Sequence, residues 1–146
     1  MKNMIKKALS VVAAGGMLSL AVVSSVSAHG ISASDGSATN GADSSCFIGS
    51  FGNRTNNCGT TKNFQVALMV DSGGSKGATF TGKNLTCQLV GMDQFGTSQS
   101  FSTTPSIGAG VSSASTSTVI VATAGKLIIA CDILPGGQLI NVNYSN

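Results

Sequence analysis

"STVIVATAGKLIIACDILPGGQLINVNYS", residues 117–145, decides the fold of this chain. Its apolar residues recur at every second position, which is the period of a β-strand with one buried face. Val119 and Val121 begin one predicted strand, and Ala124-Gly125 predicts a turn after it. The next strand is predicted to bury one face, made of Leu127, Ile129, Cys131 and Ile133. Residues 135–137, Pro-Gly-Gly, predict a second turn before a last alternating strand that reaches Tyr144.

The same period appears upstream. Residues 63–70, "NFQVALMV", place Phe64, Val66, Leu68 and Val70 on one face of a predicted strand. Residues 83–93, "KNLTCQLVGMD", place Leu85, Cys87 and Leu89 on one face of another. Residues 96–117 are rich in Ser, Thr and Gly and predict one or two short edge strands. No helical period follows the N-terminal segment. The sequence therefore predicts an all-β fold, an antiparallel β-sandwich of about six to eight short strands.

The N-terminal 28 residues have the three parts of a secretory signal peptide. Three lysines are followed by an apolar stretch of small residues and by Val26-Ser27-Ala28, which predicts cleavage after Ala28. We therefore expect a bacterial protein that is secreted, periplasmic or held at the cell surface. Its mature chain lacks the roughly 20 consecutive apolar residues of a membrane span. Residues 29–45 hold one sizeable apolar residue, Ile31, and predict a flexible polar leader, with the sandwich domain at 46–146.

Four cysteines lie after the predicted cleavage site. An even number in an exported chain predicts two disulfides, for which three pairings are open. We prefer Cys46 with Cys58, because the residues between them are few and rich in Asn, Gly and Thr, as in a closed surface loop. Cys87 and Cys131, which each lie in a strand-like run, then pair with each other.

Charge and residue types exclude several functions. Beyond residue 28, five Lys and Arg residues balance five Asp residues, so the net charge is about zero. This excludes binding to nucleic acid or to anionic lipid that is driven by a basic surface. Glycoside hydrolysis would need a pair of carboxylates such as Asp93 and Asp132, which we expect instead to be solvated groups at strand ends. The glycines of "GSFGNRTNNCG", residues 49–59, lack the Lys and the helix of a phosphate loop.

His29 is the single histidine of the chain, and the predicted cleavage makes it the first residue. Copper oxygenases with a histidine brace, such as the lytic polysaccharide monooxygenases, also begin with His, often His-Gly, on a β-sandwich; this chain resembles them in His29-Gly30 and in fold class. A brace needs a second His, which is absent. We therefore predict no metal and no cofactor, with copper capture by His29, helped by Asp35, as an alternative. The lack of a second His also excludes Ser-His-Asp and Cys-His catalysis.

Two resemblances bear on function. "LTCQL", residues 85–89, and "IIACDILPGGQLINVNYS", residues 128–145, resemble small uncharacterised exported bacterial β-sandwich proteins with two disulfides. The final alternating strand with Tyr144 near its end is also similar to chaperone-usher and spore-coat U-like pilin subunits. The sequence predicts a non-enzymatic secreted or envelope protein acting in surface binding or assembly, whose partner is itself or another surface protein. A pilin-like fibre subunit is an alternative. One Tyr, no Trp and six Phe disfavour sugar binding relative to protein contacts.

Overall fold

A computed structural model describes residues 28–145. These residues form an all-β, antiparallel fold, as predicted, but with more strands than expected and with two that are long. Two short 3₁₀ helices occupy Ala33–Asp35 and Gly41–Cys46. The strands are β1 Ala28–Ser32, β2 Ser37–Ala38, β3 Phe47–Ile48, β4 Arg54–Asn56, β5 Lys62–Leu68, β6 Gly74–Lys76, β7 Ala78–Met92, β8 Ser98–Phe101, β9 Ser106–Ile107, β10 Ser112–Ser115, β11 Val119–Val121 and β12 Lys126–Ser145.

The long strands β7 and β12 form the centre of the fold and pair along almost their whole length. Three short strands line the other edge of β12 in succession, β5, then β4, then β1. Another three, β10, β9 and β8, line the other edge of β7. We call the half built on residues 126–133 of β12 and 85–92 of β7 the first limb. The second limb is built on residues 138–145 of β12 and 78–83 of β7, between β1 and β10.

The limbs meet at a bulge, and here the predicted turn at residues 135–137 is wrong. Ile133 pairs with Leu85 and Gln138 with Lys83, so four residues of β12 lie opposite one residue of β7. Gly136 accommodates the extra length with a φ of 69°, a left-handed conformation that glycine adopts at little cost. Because the chain then continues in its original direction, residues 126–145 form one bent strand and not a hairpin.

One hydrophobic core includes residues from both limbs, as in the predicted sandwich. The alternation in β5 and β7 is confirmed: the residues that alternate with the buried positions are more exposed, and the buried positions are Phe64, Val66, Leu85, Cys87 and Leu89. From the second limb the core receives Phe80, Leu139, Val142 and Tyr144. Burial of such side chains contributes about 25 cal/mol for each Å² of apolar surface removed from water.

The predicted flexible leader is, in the structure, part of the domain. Residues 28–32 form β1, which pairs with β12 from Ala28 opposite Ser145 to Ser32 opposite Asn141. Ile31 packs against the core and Ala33 is fully buried in it. The small polar residues of this segment predict flexibility, but backbone hydrogen bonds to a neighbouring strand need no large side chain. The sandwich therefore begins before residue 46.

Both disulfides join the predicted pairs, Cys46–Cys58 and Cys87–Cys131. Cys87 lies directly opposite Cys131 in the ladder of β7 and β12, and both are buried. Cys46–Cys58 closes the β3–β4 hairpin. Two structural disulfides indicate an oxidising compartment outside the cytoplasm. The predicted signal peptide lies outside the described residues except for Ala28. Within residues 28–145, no helix has the length and apolar character needed to cross a membrane.

Candidate functional site

The structure does not bring the sequence-predicted candidates together. Asp132 lies opposite Thr86 on β7, and Asp93 follows the end of β7, seven residues further along. At about 3.3 Å per residue, seven residues separate the two backbone positions by roughly 23 Å along the strand, so the carboxylates are not placed to act as a pair. Asp93 accepts hydrogen bonds from the backbone N–H groups of Phe95 and Thr97, both at 2.9 Å, and so stabilises a turn. Asp132 accepts one from the Asn63 side chain.

His29 lies on β1 opposite Tyr144, and the two rings stack with their centroids 5.6 Å apart. Among residues 28–145, no group of three or more His, Cys, Asp or Glu side chains is placed to hold a metal ion. Copper capture through the terminal amine of a processed chain stays a prediction, as does the pilin-like assembly. The candidate site lies elsewhere, on the outer surface of the second limb.

Four adjacent strands of the second limb present an uncharged surface of small polar side chains. The inward residues of β7 and β12 are Ala78, Phe80, Val142 and Tyr144, so the residues that alternate with them face outward. The ladder aligns these outward positions in two rows that cross β1, β12, β7 and β10. We call them the polar face. Its first row is Ser32, Asn141, Thr81 and Ser113, and its second row is Gly30, Asn143, Thr79 and Ser115.

Hydroxyl groups on the polar face are paired across strands. Thr79 Oγ1 and Ser115 Oγ are 2.8 Å apart, and Thr81 Oγ1 and Ser113 Oγ are 2.7 Å apart. Each pair uses one O–H in its own hydrogen bond, which leaves one donor and several acceptor lone pairs free. The pairing holds the hydroxyl groups in place and leaves part of their hydrogen-bonding capacity for a ligand.

Two grooves lie on this surface and share Asn143. The first has a volume of about 330 Å³ and is lined from β1 and β12 by Gly30, Ser32, Asn141 and Asn143, and by Phe51. The second, also of about 330 Å³, lies at the end of the second limb. Asn143, Thr79 and Ser115 of the second row line it together with Gly77, Ala78, Thr116, Tyr144 and Ser145. Together the grooves cross all four strands of the second limb. Oδ1 of Asn141, in the lining of the first, is closed to solvent and accepts no hydrogen bond from any residue that the structure describes.

Phe51 stands at the β1 end of these grooves with its side chain fully exposed. It lies in the turn of the β3–β4 hairpin and has a φ of 50°, in the left-handed region that bulky residues avoid. Because the ring is fully exposed, its apolar surface contributes nothing to the core of the fold. Strained residues of this kind concentrate at functional sites.

The turn that carries Phe51 is fixed on both sides. The carbonyl of Gly52 accepts hydrogen bonds from Ser34 N at 3.0 Å and from Ser32 Oγ at 2.5 Å, which tie the turn to the chain that follows β1. Within the turn, Asn53 N donates to Ser50 O at 3.2 Å. At the base of the hairpin, Asn57 N donates to Cys46 O at 2.8 Å beside the Cys46–Cys58 disulfide. Phe51 therefore has a fixed backbone although its ring is exposed.

Sequence reasoning missed this site. The alternation of Thr79 and Thr81 with Ala78 and Phe80 was the available signal on β7, and Asn141 with Asn143 was the signal on β12. Neither shows that the two strands are neighbours. Phe51 sits between Ser50 and Gly52, a context that predicts a turn but not the exposure of an aromatic ring.

No protein-family model matches the chain, and the search of the curated proteins found no relative. Among solved structures, the fold is similar to part of the Podospora anserina GH26-CBM35 β-(1,4)-mannanase, with a TM-score of 0.48 and 12% sequence identity. The match covers 83% of this chain and 28% of the mannanase chain. The chain thus spans little more than a quarter of the length of that protein.

Proposed function

We propose that this protein is a non-enzymatic binding domain, exported from a bacterial cell, whose ligand is an uncharged polysaccharide held on the polar face. The observation that carries the proposal is a fully exposed phenylalanine at the end of a groove that is lined by the amides of Asn141 and Asn143. Sugar rings offer both of the matching surfaces, an apolar C–H face for the aromatic ring and hydroxyl groups for the polar side chains.

The charge of the surface supports a neutral ligand. None of the eight positions of the polar face is Asp, Glu, Lys or Arg. A charged ligand would lose its hydration there without gaining an ion pair, which disfavours its binding. Lys83, two residues beyond Thr81 on β7, is the charged residue that borders the face along that strand. Neutral hydroxyl groups, in contrast, exchange hydrogen bonds with water for equivalent bonds with Ser, Thr and Asn.

The positions of the phenylalanine side chains in the fold support the same ligand. The low aromatic count by itself disfavours sugar binding, but it does not show which rings are exposed. Three of the six, Phe51, Phe95 and Phe101, are exposed. Phe51 alone of these borders the grooves of the polar face. One ring at the end of a polar groove is a small stacking platform, so we expect modest affinity.

The test is affinity electrophoresis of the purified exported protein in gels that contain neutral polysaccharides, such as mannans, glucans and xylans, with a sulfated polysaccharide for comparison. At least one neutral polysaccharide should retard migration, and Phe51→Ala should abolish most of the retardation. Phe95→Ala is the matched control, since Phe95 is also exposed but lies in the turn after β7 in the first limb. Equal retardation of wild type and Phe51→Ala, or retardation by no neutral polysaccharide, would overturn the proposal.

The export component is tested separately. Intact mass of the protein recovered from outside the cytoplasm should correspond to a chain that begins at His29 and has lost four thiol hydrogens to two disulfides. A full-length mass, or recovery of the protein only from the cytoplasm, would contradict export.

A further inference from the structure

The arrangement of the polar face suggests how a polysaccharide would lie on it, an inference that rests on the proposed function. The outward positions form rows at right angles to the strands, with one side chain from each of β1, β12, β7 and β10 in a row. Neighbouring strands are about 4.8 Å apart, whereas outward side chains along one strand are about 6.8 Å apart. The shorter spacing is close to the length of one pyranose unit in an extended β-linked chain.

The grooves run in the same direction as the rows. The first connects β1 with β12, and the second connects β12 with β7 and β10. They overlap at Asn143, which is exposed and belongs to both linings. A path along the strands would leave these grooves after two outward side chains, whereas the path across them stays within the grooves for the width of four strands.

Side chains along this path offer hydrogen-bonding groups on β12, β7 and β10, whereas on β1 the Ser32 hydroxyl is already used in bonds with Gly52 and Ser34. The Thr79–Ser115 hydroxyl pair serves the β7 and β10 end, with the Thr81–Ser113 pair beside it outside the grooves, and the Asn141 and Asn143 amides serve the middle. Asn141 Oδ1 lacks a donor among the described residues. The terminal torsion of Asn is soft, so a sugar hydroxyl in the first groove can draw this amide outward and supply the donor.

We propose that the polar face binds a linear, β-linked neutral polysaccharide laid across the four strands, with about one sugar unit for each strand. Phe51 stacks on the sugar at the β1 end, and the hydroxyl pair of Thr79 and Ser115 binds the sugar at the β10 end. The site recognises an internal stretch of a chain and not a terminal sugar, because its grooves are open at the surface.

The experiment is calorimetric titration with an oligosaccharide series, from two to six units, of the polysaccharide that retards the protein most. Affinity should rise at least about tenfold from the disaccharide to the tetrasaccharide and change little beyond it. Ser115→Arg, which places a long side chain across the β10 end, should lower tetrasaccharide affinity to the disaccharide level without changing disaccharide affinity. Phe51→Ala should weaken every length. Ser98→Arg, on an exposed strand position of the first limb, is the matched control and should change nothing.

Failures of the two proposals are distinguishable. Affinity that is independent of length, or that Ser115→Arg leaves unchanged for the tetrasaccharide, overturns the extended path while leaving saccharide binding at Phe51 intact. Absence of binding at every length overturns both. Circular dichroism and urea unfolding of each variant separate a folding defect from a loss of contacts.

Discussion

Cys87–Cys131 lies in the centre of the core, between the two longest strands, whereas Cys46–Cys58 lies at the base of a hairpin whose turn exposes Phe51. The first joins residues 44 positions apart and the second joins residues 12 apart. Both restrict the unfolded chain, but only the second also closes the hairpin that carries a candidate binding residue, Phe51. The comparison suggests that one disulfide serves the stability of the fold and the other serves both stability and the site.

The largest expected effect comes from the core disulfide. Replacing Cys87 and Cys131 together by Ala should lower the free energy of unfolding by about 4 kcal/mol, since the crosslink closes the longer loop. Saccharide affinity of the molecules that still fold should not change, because neither residue belongs to the polar face. Equilibrium urea denaturation measures the first effect and titration of the folded fraction the second. A clear loss of affinity at full folding would remove the distinction between the disulfides.

Replacing Cys46 and Cys58 together by Ala sharpens the comparison. The shorter loop predicts a loss of stability of about 3 kcal/mol or less. Affinity should also fall, because the hairpin that presents Phe51 gains freedom which binding must then remove. Titration and urea denaturation of the same preparations test both effects. If stability falls but affinity matches that of wild type, the disulfide has no role in the site.

Asn56 links the hairpin to the centre of the fold and gives the next largest effect. Its buried amide donates to Ile133 O at 2.7 Å and to Thr60 O at 2.9 Å, and its Oδ1 accepts from Cys58 N at 3.0 Å. Asn56→Ala leaves these buried groups without partners and should cost about 2–3 kcal/mol of stability. Asn57→Ala, at the exposed neighbouring position, should stay within about 0.5 kcal/mol of wild type. Thermal or urea unfolding measures both, and equal effects would contradict the role of Asn56.

Phe51→Gly is expected to have the smallest effect on stability, and one of opposite sign. Glycine adopts the left-handed φ at Phe51 without the Cβ penalty, which outweighs the greater freedom of glycine in the unfolded chain. Stability should therefore rise by up to about 1 kcal/mol while saccharide binding is lost. Phe95 is not among the residues with positive φ, so Phe95→Gly should lower stability slightly through the greater freedom of the unfolded chain. A Phe51→Gly protein that is less stable than wild type would show that the ring has a structural role in the fold.

The alternating pattern predicts the strands, their buried faces and, through Cys87 and Cys131, one pair of neighbours. It could not predict that Gly136 continues a strand, because the same Pro-Gly-Gly sequence suits a turn and a bulge equally well. The sequence pattern also does not predict that residues 29–45 are part of the domain, for a related reason. Backbone pairing stabilises β1, and small residues such as Gly30 and Ser32 form no alternating apolar pattern that would indicate a strand.

The candidate site was less predictable than the fold. It joins residues from β1, β7, β10 and β12 with the turn at Phe51, and no local pattern reveals which strands are adjacent. Thr79 and Asn143 are ordinary outward residues in sequence and become a site only through the register that places them side by side. The exposure of Phe51 depends on a backbone conformation that its residue type disfavours, so propensity argues against it.

The pairing of β1 with the end of β12 has a consequence for engineering. Ala28 and Ser145 are register partners, so the first and last described residues lie side by side at one end of the second limb. A short Gly-Ser linker could connect them, and new ends could open in the exposed residues 108–111 between β9 and β10. Such a permuted chain would retain both disulfides and both limbs, and could be fused in tandem to raise avidity for a repetitive surface.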